Sequence, residues 1–292
     1  MLNKSIVKNI KRKKNFVDVV SYIDKFPLFS WIDVNLTELC NRVCDFCPRA
    51  DPGVYPNQNL HMSLDLIEKM SLELELLKYK GAVVLSGYGE PLLHPDIVKI
   101  VNRIGKSIRL EIVTNGDPLT TKLVTELSKN ASPYFIVSMY DGEFQRKGFE
   151  KIFLDSGLSS ENYILRDRWY NDSEDYGLKL TNRAGVTSSG RQPDNKVKYK
   201  CFYTHYSMTI DWNGDALLCV QDWNKRVKFG NLSHESLVEI WKSKRIMKYR
   251  DSLGRGDRKL SPCSNCNADG CVHGKSHYKA FSLLSQQKIS IK

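Results

Sequence analysis

The sequence of residues 31–47 is WIDVNLTELCNRVCDFC, an alternating segment that runs directly into three closely spaced cysteines. Ile32, Val34 and Leu36 fall on one face of the segment, and polar side chains fall on the other. This alternation predicts a β-strand. The strand would deliver the chain to the cysteines at its carboxyl end, where α/β barrels and sheets have their active sites.

The three cysteines, Cys40, Cys44 and Cys47, follow a C-x3-C-x2-C spacing. Three thiolates can hold three irons of a 4Fe–4S cubane, which leaves the fourth iron open to a substrate or cofactor. One helix or strand cannot turn all three thiolates to one side at this spacing, so we predict a loop that wraps a cluster and ends at Pro48. A zinc site or a disulfide pair is the alternative, although zinc prefers four ligands.

This run, with Phe46 just before the last cysteine, resembles the cluster loop of the radical S-adenosylmethionine (radical SAM) enzymes. The resemblance implies that the amino and carboxylate groups of SAM chelate the open iron. It further implies that one electron cleaves SAM to methionine and a 5′-deoxyadenosyl radical, which abstracts a hydrogen atom from the substrate. The implied cofactors are a SAM-binding 4Fe–4S cluster and SAM itself, with Phe46 in the cofactor site.

A second motif supports the same family. Residues 82–85 are wholly apolar, as expected of a parallel strand buried on both faces, and they run into Ser-Gly-Tyr-Gly-Glu-Pro. Two glycines at a strand end let the backbone approach a ligand closely. The segment resembles the "GGE" segment of radical SAM enzymes, which meets the amino group of SAM. The implied cofactor-binding residues are Gly87, Tyr88, Gly89, Glu90 and Pro91.

Further strands and amphipathic helices alternate along the chain. At least four β-α repeats predict parallel strands joined by right-handed crossovers. The fold class is therefore α/β, and the resemblance implies a partial (β/α)6 TIM-like barrel. The further strands are predicted at residues 108–112, 134–139, 163–165 and 177–180, and the helices at 63–77, 97–104 and 119–127.

Polar residues follow several of these strands. In the family, positions such as Asn115 and Ser138 line SAM, although ordinary turn chemistry explains each residue equally well. Arg183 is the candidate for the carboxylate of SAM, because a guanidinium pairs with a carboxylate through two parallel hydrogen bonds. The alternative for Arg183 is a surface salt bridge.

The C-terminal part contains a different pattern. Two strands are predicted over residues 206–212 and 215–220, joined at Asn213-Gly214, which is a strong hairpin signal. A helix is predicted to follow, with Ser233 as its N-terminal cap. This arrangement of a cysteine, a hairpin with a cysteine, a helix and C-x2-C resembles the SPASM and shorter "twitch" extensions of radical SAM enzymes.

The twitch form implies a single auxiliary 4Fe–4S cluster with four thiolate ligands. Such a cluster has no open iron, so it would carry electrons or shape the pocket. A zinc site made from the same four thiols is the alternative. Cys271 is left without an assignment: it is an exchangeable ligand, an idle thiol or a catalytic hydrogen-atom donor. The implied ligands are Cys201, Cys219, Cys263 and Cys266.

Length and composition set the broad class. The chain has 292 residues, eight cysteines and a net charge of +11, without an apolar run long enough to span a membrane. No secretory signal is evident, so we expect a cytoplasmic protein whose cysteines bind metal. The basic run Lys11–Lys14 is expected to be a solvated helix face. The predicted divisions are a basic, helical lead-in at 1–30 with a helix near 16–23, the barrel at 31–186, a linker at 187–200, the α+β cluster domain at 201–275 and a tail at 276–292.

The favoured hypothesis is a radical SAM oxidoreductase that acts on a small polar substrate, such as an aminocyclitol, a sugar or a nucleotide sugar. The auxiliary cluster would accept the second electron, as in the twitch-bearing dehydrogenases of aminocyclitol biosynthesis. The expected reductant is a flavodoxin- or ferredoxin-type protein, and neither a membrane nor nucleic acid is an expected partner. The alternatives are an epimerase that uses Cys271, a peptide-modifying enzyme, and a zinc or nucleic-acid-binding protein without catalysis. About thirty residues before the first strand are too few for a leader-binding domain, which counts against peptide modification.

Overall fold

The computed structural model describes residues 4–169, 181–187 and 199–289. In these ranges the strands are β1 (Tyr22–Ile23), β2 (Phe26–Pro27), β3 (Trp31–Val34), β4 (Ala82–Leu85), β5 (Arg109–Thr114), β6 (Tyr134–Met139), β7 (Tyr163–Asp167), β8 (Ser207–Ile210), β9 (Asp215–Leu217) and β10 (Lys228–Asn231). The helices are α1 (Lys4–Val17), α2 (Leu64–Leu76), α3 (Ile97–Ile104), α4 (Thr121–Ser128), α5 (Gln145–Asp155), α6 (Tyr203–Tyr206), α7 (Leu237–Lys242), α8 (Lys244–Gly254) and α9 (Lys275–Ile289).

The central sheet is built from the predicted β-α repeats. Strands β3 to β7 are parallel neighbours in chain order, and helices α2 to α5 connect them. Helix α2 begins where the sequence predicts it, because the side chain of Ser63 accepts a hydrogen bond from the backbone of Leu66. The α/β class with a mainly parallel sheet is confirmed. The strand predicted at residues 177–180 lies outside the described residues.

The two faces of this sheet carry different side chains. On the outer face, residues such as Ile32, Leu110 and Phe135 pack beneath the helices in the largest apolar core. The inner face is more polar and includes Asp33 and Glu111, both of them buried. Because the carboxyl ends of the parallel strands meet at one edge, the loops at that edge form the site.

The N-terminal helix differs from the prediction. A helix at residues 16–23 is wrong: helix α1 ends at Val17, and residues 22–23 pair with β2 in a small separate sheet. The expectation of a solvated face for Lys11–Lys14 is also wrong for two of its members. The guanidinium carbon of Arg12 lies 5.5 Å from the ring centroid of Trp31, and the Lys13 ammonium lies 4.2 Å from it.

The reason for this inward turn is a buried carboxylate. Glu111 is fully buried, and its carboxylate pairs with Arg12 from helix α1 and with Arg109 at 3.4 Å. A buried charge without a partner costs several kcal/mol, roughly 3–5 kcal/mol when one partner is removed. Helix α1 therefore brings its basic residues against the inner face of the sheet.

The predicted hairpin is confirmed, and it extends the central sheet. Strand β8 pairs with β3 in parallel and with β9 in antiparallel, and Gly214 supplies the turn at φ +86°. The predicted cap at Ser233 is wrong. Ser236 caps α7 in a capping box with Glu239, and Ser243 separates α7 from a second helix, α8.

No helix in the described ranges is both long enough and apolar enough to cross a membrane.

Candidate active site

The three cysteines of the first motif line one cavity of about 150 Å³ at the carboxyl ends of the parallel strands. The pKa of the Cys44 thiol is raised to about 12. Burial is the largest cause, and the neighbouring thiols of Cys47 and Cys40 contribute less. Without a metal these thiols stay protonated and neutral, whereas a bound metal deprotonates the thiols that coordinate it and makes them thiolate ligands. The donor set therefore fits an iron–sulfur cluster with three protein ligands.

Most of the predicted cofactor residues line the same cavity. Pro91 is the exception, because it is buried at the start of a short 3₁₀ turn over residues 91–93. The remaining eight come from the cysteine loop, from the ends of β4, β5 and β6, and from the segment at 181–187. They are Phe46, Gly87, Tyr88, Gly89, Glu90, Asn115, Ser138 and Arg183.

Arg49 holds the cysteine loop from the inside. This residue is buried, its Nε donates to the Tyr88 carbonyl at 2.6 Å, and its Nη2 donates to the Glu38 carbonyl at 2.6 Å. Asn57 holds the first cysteine by accepting from the Cys40 amide at 2.8 Å and donating to its carbonyl at 3.0 Å. The loop is thus fixed by hydrogen bonds independent of any ligand.

Arg42 ties the loop to two strand ends. Its Nε and Nη2 donate to the Asp117 carboxylate, both at 2.6 Å, and its Nη1 and Nη2 donate to Asp141 at 2.8 and 2.6 Å. Hydrogen bonds from Arg42 hold the pKa of Asp141 below its usual range. None of these three residues was predicted from sequence as part of the site. Asp141-Gly142 at a strand end is a turn signal, but it does not indicate the pairing with Arg42.

Glu90 joins strands and does not face the cavity with a free carboxylate. It accepts from the Thr114 hydroxyl at 2.7 Å, the Asn115 amide at 2.8 Å and the Leu92 amide at 3.1 Å. Burial raises the pKa of Glu90 to about 7, against the opposing effect of these donors. The Asn115 side chain donates to the Asn41 side chain at 2.8 Å and so connects β5 to the cysteine loop.

The glycines of this motif are required by close packing. A Cβ on Gly89 would lie 2.1 Å from the Thr37 carbonyl oxygen, and Gly87 adopts φ +127°. The intervening Tyr88 packs its ring 4.8 Å from the ring of Trp223 between centroids, and both residues line the cavity. The two glycines beside Tyr88 bring the backbone of the segment close to its neighbours.

Phe46 and Ser138 lie toward the far side of the cavity. The Phe46 ring is 5.8 Å from the Tyr140 ring, and the Ser138 hydroxyl accepts from Arg166 at 2.8 Å. Arg183 enters from the other side, with its guanidinium carbon 5.9 Å from the Trp223 ring centroid. The Arg183 Nε is buried and has no hydrogen-bond partner in the described part of the chain.

The second cysteine set also converges on one cavity. Cys201 precedes α6, and Cys219 follows β9. Cys263 begins a short 3₁₀ turn at residues 263–265, and Cys266 follows it. All four thiols line this largely apolar cavity. Burial raises the pKa of all four thiols. In the described ranges, no three Cys, His, Asp or Glu side chains lie close enough together to hold a single metal ion. Four thiols around one cavity are the donor set of a 4Fe–4S cluster and also of a structural zinc site.

The segment at 181–187 touches both thiol sets. Ala184 packs against Cys266, while the preceding residue, Arg183, lines the first cavity beside Cys47. Asn182 anchors the segment by donating to the Asn265 carbonyl at 2.7 Å. One short stretch of backbone therefore forms a wall of both centres.

Cys271 lines neither cavity. Its thiol donates to the Lys200 carbonyl at 2.8 Å, and its amide donates to Asp269 at 2.9 Å. The structure thus places this residue beside the second centre and not beside the first. The hydrogen-donor role suggested from sequence gains no geometric support.

Two family models match this chain. The Radical SAM superfamily model matches residues 34–143, and the iron-sulfur cluster-binding domain SPASM matches residues 201–267. The S-adenosyl-L-methionine-dependent 2-deoxy-scyllo-inosamine dehydrogenase of Niallia circulans is 29% identical over 82% of this chain and 93% of its own length. The human molybdenum cofactor biosynthesis protein 1 is 28% identical over 42% of this chain but only 20% of its own length.

Solved structures give a consistent result. BtrN in complex with AdoMet and 2-DOIA superposes with a TM-score of 0.71 at 25% identity, covering 87% of this chain and 98% of that chain. The peptide-bound anSMEcpe structure with AdoMet shares the fold alone, with a TM-score of 0.51 at 12% identity over 90% of this chain and 99% of that one. The predicted family is confirmed: this chain belongs to the radical SAM superfamily, it carries a SPASM cluster-binding domain, and its cofactors are 4Fe–4S clusters and SAM.

Proposed function

We propose that this enzyme oxidises a small polyhydroxylated substrate, an aminocyclitol or a related sugar, by two electrons. The observation that carries the proposal is the shared wall: Arg183 lines the first cavity while the adjacent Ala184 packs against Cys266 of the second centre. An electron acceptor held beside the substrate pocket is what a dehydrogenase requires. The similarity to the inosamine dehydrogenase over most of both chains supports the same substrate class.

The residues divide into roles around the first cavity. Cys40, Cys44 and Cys47 would hold the SAM-binding cluster, and the backbone of residues 87–90 with Arg183 would hold the methionine part of SAM. When bound, the clusters supply one-electron reduction of SAM at the first centre and one-electron acceptance at the second. The auxiliary ligands would be the four thiols of the second cavity. Phe46, Asn115 and Ser138 would position SAM from the opposite wall.

The first test counts irons. Anaerobically reconstituted protein should contain about eight irons and eight sulfides, and a Cys40/Cys44/Cys47→Ala triple variant about four of each. About four irons in the unaltered protein and none in the variant would remove the auxiliary cluster and the oxidation that depends on it. Zinc in place of iron would contradict the radical chemistry altogether.

The second test measures turnover. Cyclitols, aminocyclitols and sugars, offered singly with SAM and dithionite, should include one that releases 5′-deoxyadenosine and an oxidised product in equal amounts. A Cys219→Ala variant should still release 5′-deoxyadenosine but yield no ketone. Formation of the ketone at an unchanged rate by this variant would contradict the role of the second centre.

The reductant and compartment follow from the same proposal. A flavodoxin- or ferredoxin-type protein in the cytoplasm would supply the electron. The net charge of +11 supports an acidic donor of this kind, because opposite charge accelerates association. Cross-linking to a purified flavodoxin at low salt, lost at high salt, would test the pairing.

A further inference from the structure

Arg166 on strand β7 and Arg168 just beyond its end have no carboxylate partner among the described residues. The two arginines occupy alternate positions in line with Ile164, which packs against inward-facing residues of β6. The intervening Asp167 faces the other way and pairs with Arg146 of helix α5 at 2.7 Å. Neither inward arginine forms an ion pair with any residue in the described ranges.

Their hydrogen bonds are few and neutral. Arg166 donates from Nη2 to the Ser138 hydroxyl at 2.8 Å, and its buried Nε has no partner among the described residues. Arg168 donates from Nη1 to the Asp167 carbonyl at 3.1 Å. A guanidinium has five N–H donors, so the described residues satisfy only a small part of the hydrogen-bonding capacity of this pair.

The acidic groups nearby are already committed. Among the described residues on the inner face of β3–β7, the carboxylate of Glu111 pairs with Arg12 and Arg109. The carboxylate of Asp33 accepts from Trp31 at 3.1 Å and from Ser207 at 3.1 Å, with Lys13 as its nearest charge. The positive charge of Arg166 and Arg168 is therefore not compensated by this face.

Burial makes that charge costly. It lowers the pKa of Arg166 and of Arg168, and the proximity of Arg166 lowers the pKa of Arg168 further. Because a guanidinium keeps its proton in proteins, the expected response is to recruit an anion. The Ser138 hydroxyl that accepts from Arg166 lines the first cavity together with Tyr140 and Cys44, so an anion bound at this pair would sit next to the first centre.

We propose that Arg166 and Arg168 bind an anionic group of the substrate, a phosphate or a carboxylate, so that the enzyme acts on a phosphorylated or acidic cyclitol or sugar. The inference rests on the proposed function, because it specifies the substrate class of the same pocket. Two guanidinium groups at alternate strand positions can share the oxygens of one such group. The carboxylate of SAM is assigned to Arg183 across the cavity, which leaves the β7 pair for the substrate.

The test is calorimetric titration of the reconstituted holoenzyme saturated with SAM. The probes are myo-inositol 1-phosphate, glucuronate, inorganic phosphate and uncharged myo-inositol. The phosphate ester or glucuronate should bind at least about tenfold more tightly than myo-inositol, and Arg168→Gln should weaken only the anionic probes, by about tenfold. Comparison of the phosphate ester with glucuronate distinguishes the two kinds of anion.

Matched variants keep the test interpretable. Arg168→Lys should retain part of the preference because it keeps the charge, and Arg103→Gln should retain all of it. Arg103 is the control because it pairs with Glu68 and Glu75 on the outer helices and undergoes the same change of charge. If Arg166→Gln does not fold, comparing the anion preference of Arg168→Gln with that of Arg168→Lys is sufficient to test the proposal.

Three results would overturn the inference. They are equal affinity for charged and neutral probes, an equal loss in Arg103→Gln, and a fall in SAM affinity in Arg168→Gln, which would assign the pair to SAM. The proposed function fails separately. Arginine-dependent anion binding without turnover of any cyclitol or sugar would refute the oxidation, whereas turnover of a neutral substrate unchanged in Arg168→Gln would refute the anion site alone.

Discussion

The contact between helix α1 and the inner face of the sheet can be tested by removing one charge at a time. Arg12→Met retains an unbranched apolar stem that can pack against Trp31 but removes the partner of Glu111. The Arg12 side chain is 10% exposed and the Glu111 side chain is fully buried, so solvent can replace little of the lost interaction. We expect the variant to unfold at lower urea concentration than the unaltered protein.

The magnitude follows from the environment of Glu111. Removing one partner of a buried pair costs about 3–5 kcal/mol, because it leaves an uncompensated charge. Arg109 remains 3.4 Å from the Glu111 carboxylate and compensates in part, which places the expected loss near the lower limit, about 3 kcal/mol. Replacing both partners, in Arg12→Met/Glu111→Gln, should recover all but about 1 kcal/mol, because no buried charge is then left unpaired.

The assay is a double-mutant cycle on reduced, metal-free protein, with urea unfolding followed by far-ultraviolet circular dichroism. The expected coupling between residues 12 and 111 is at least about 2 kcal/mol, because any cost of Glu111→Gln alone adds to the difference of about 2 kcal/mol between Arg12→Met and the double variant. Glu111→Gln alone serves as the remaining corner of the cycle. Arg12→Met and the double variant with equal stability, within about 0.5 kcal/mol, would show that helix α1 does not neutralise Glu111.

Three further changes test the first centre and the idle thiol. Gly89→Ala should weaken SAM binding by roughly 5- to 100-fold in equilibrium dialysis, because its Cβ would lie 2.1 Å from the Thr37 carbonyl oxygen; unaltered affinity would refute the close-packing role. Cys271→Ala should leave iron content, 5′-deoxyadenosine release and product stereochemistry unchanged, whereas loss of stereoinversion would support the epimerase hypothesis. Arg42 lowers the pKa of Asp141, so the stability from this pair is present above the ordinary aspartate pKa of 3.8 and is lost as the pH falls through the lower folded value. Arg42→Gln should remove that part of the acid dependence in a circular dichroism titration, and an unchanged acid profile would contradict it.

The features predictable from sequence were those encoded locally. The alternation before Cys40, the apolar run before Gly87 and the Asn213-Gly214 turn each depend on residues within a few positions of one another. Their structures match the predictions because strand period and turn type follow from such short patterns. The first cysteine set was predicted from its spacing, and the second from the resemblance of its arrangement to the SPASM and twitch extensions.

Helix capping shows how a local signal can be present and missed. Ser233 was predicted as the cap, but Ser236 has Glu three positions later and forms the capping box. The S-x-x-E pattern distinguishes the two serines, because only Ser236 can exchange hydrogen bonds with residue Glu239. Ser233 comes first in the segment, but it has no Glu or Gln three positions later.

The remaining features depend on charges far apart in the chain. Arg42 reaches Asp117 and Asp141, which are 75 and 99 positions away, and Arg12 reaches Glu111 across 99 positions. A basic run has no period that identifies which of its members will meet a buried carboxylate. In the folded chain, the cost of burying the Glu111 carboxylate without a partner brings Arg12 inward. The sequence of Lys11–Lys14 alone therefore resembles a solvated helix face.

The turn between the two centres explains why one segment can serve both. Arg183, Ala184 and Gly185 have consecutive positive φ angles of +47°, +54° and +87°, although only the last is glycine. Non-glycine residues in this conformation cost about 1 kcal/mol or more each, and they persist only where their surroundings fix them. Here Arg183 lines the first cavity and Ala184 packs against Cys266, while Asn182 holds the start of the turn. The strain is thus retained at the point where the first cavity and the second thiol centre share a wall, and relaxing the turn would disturb both at once.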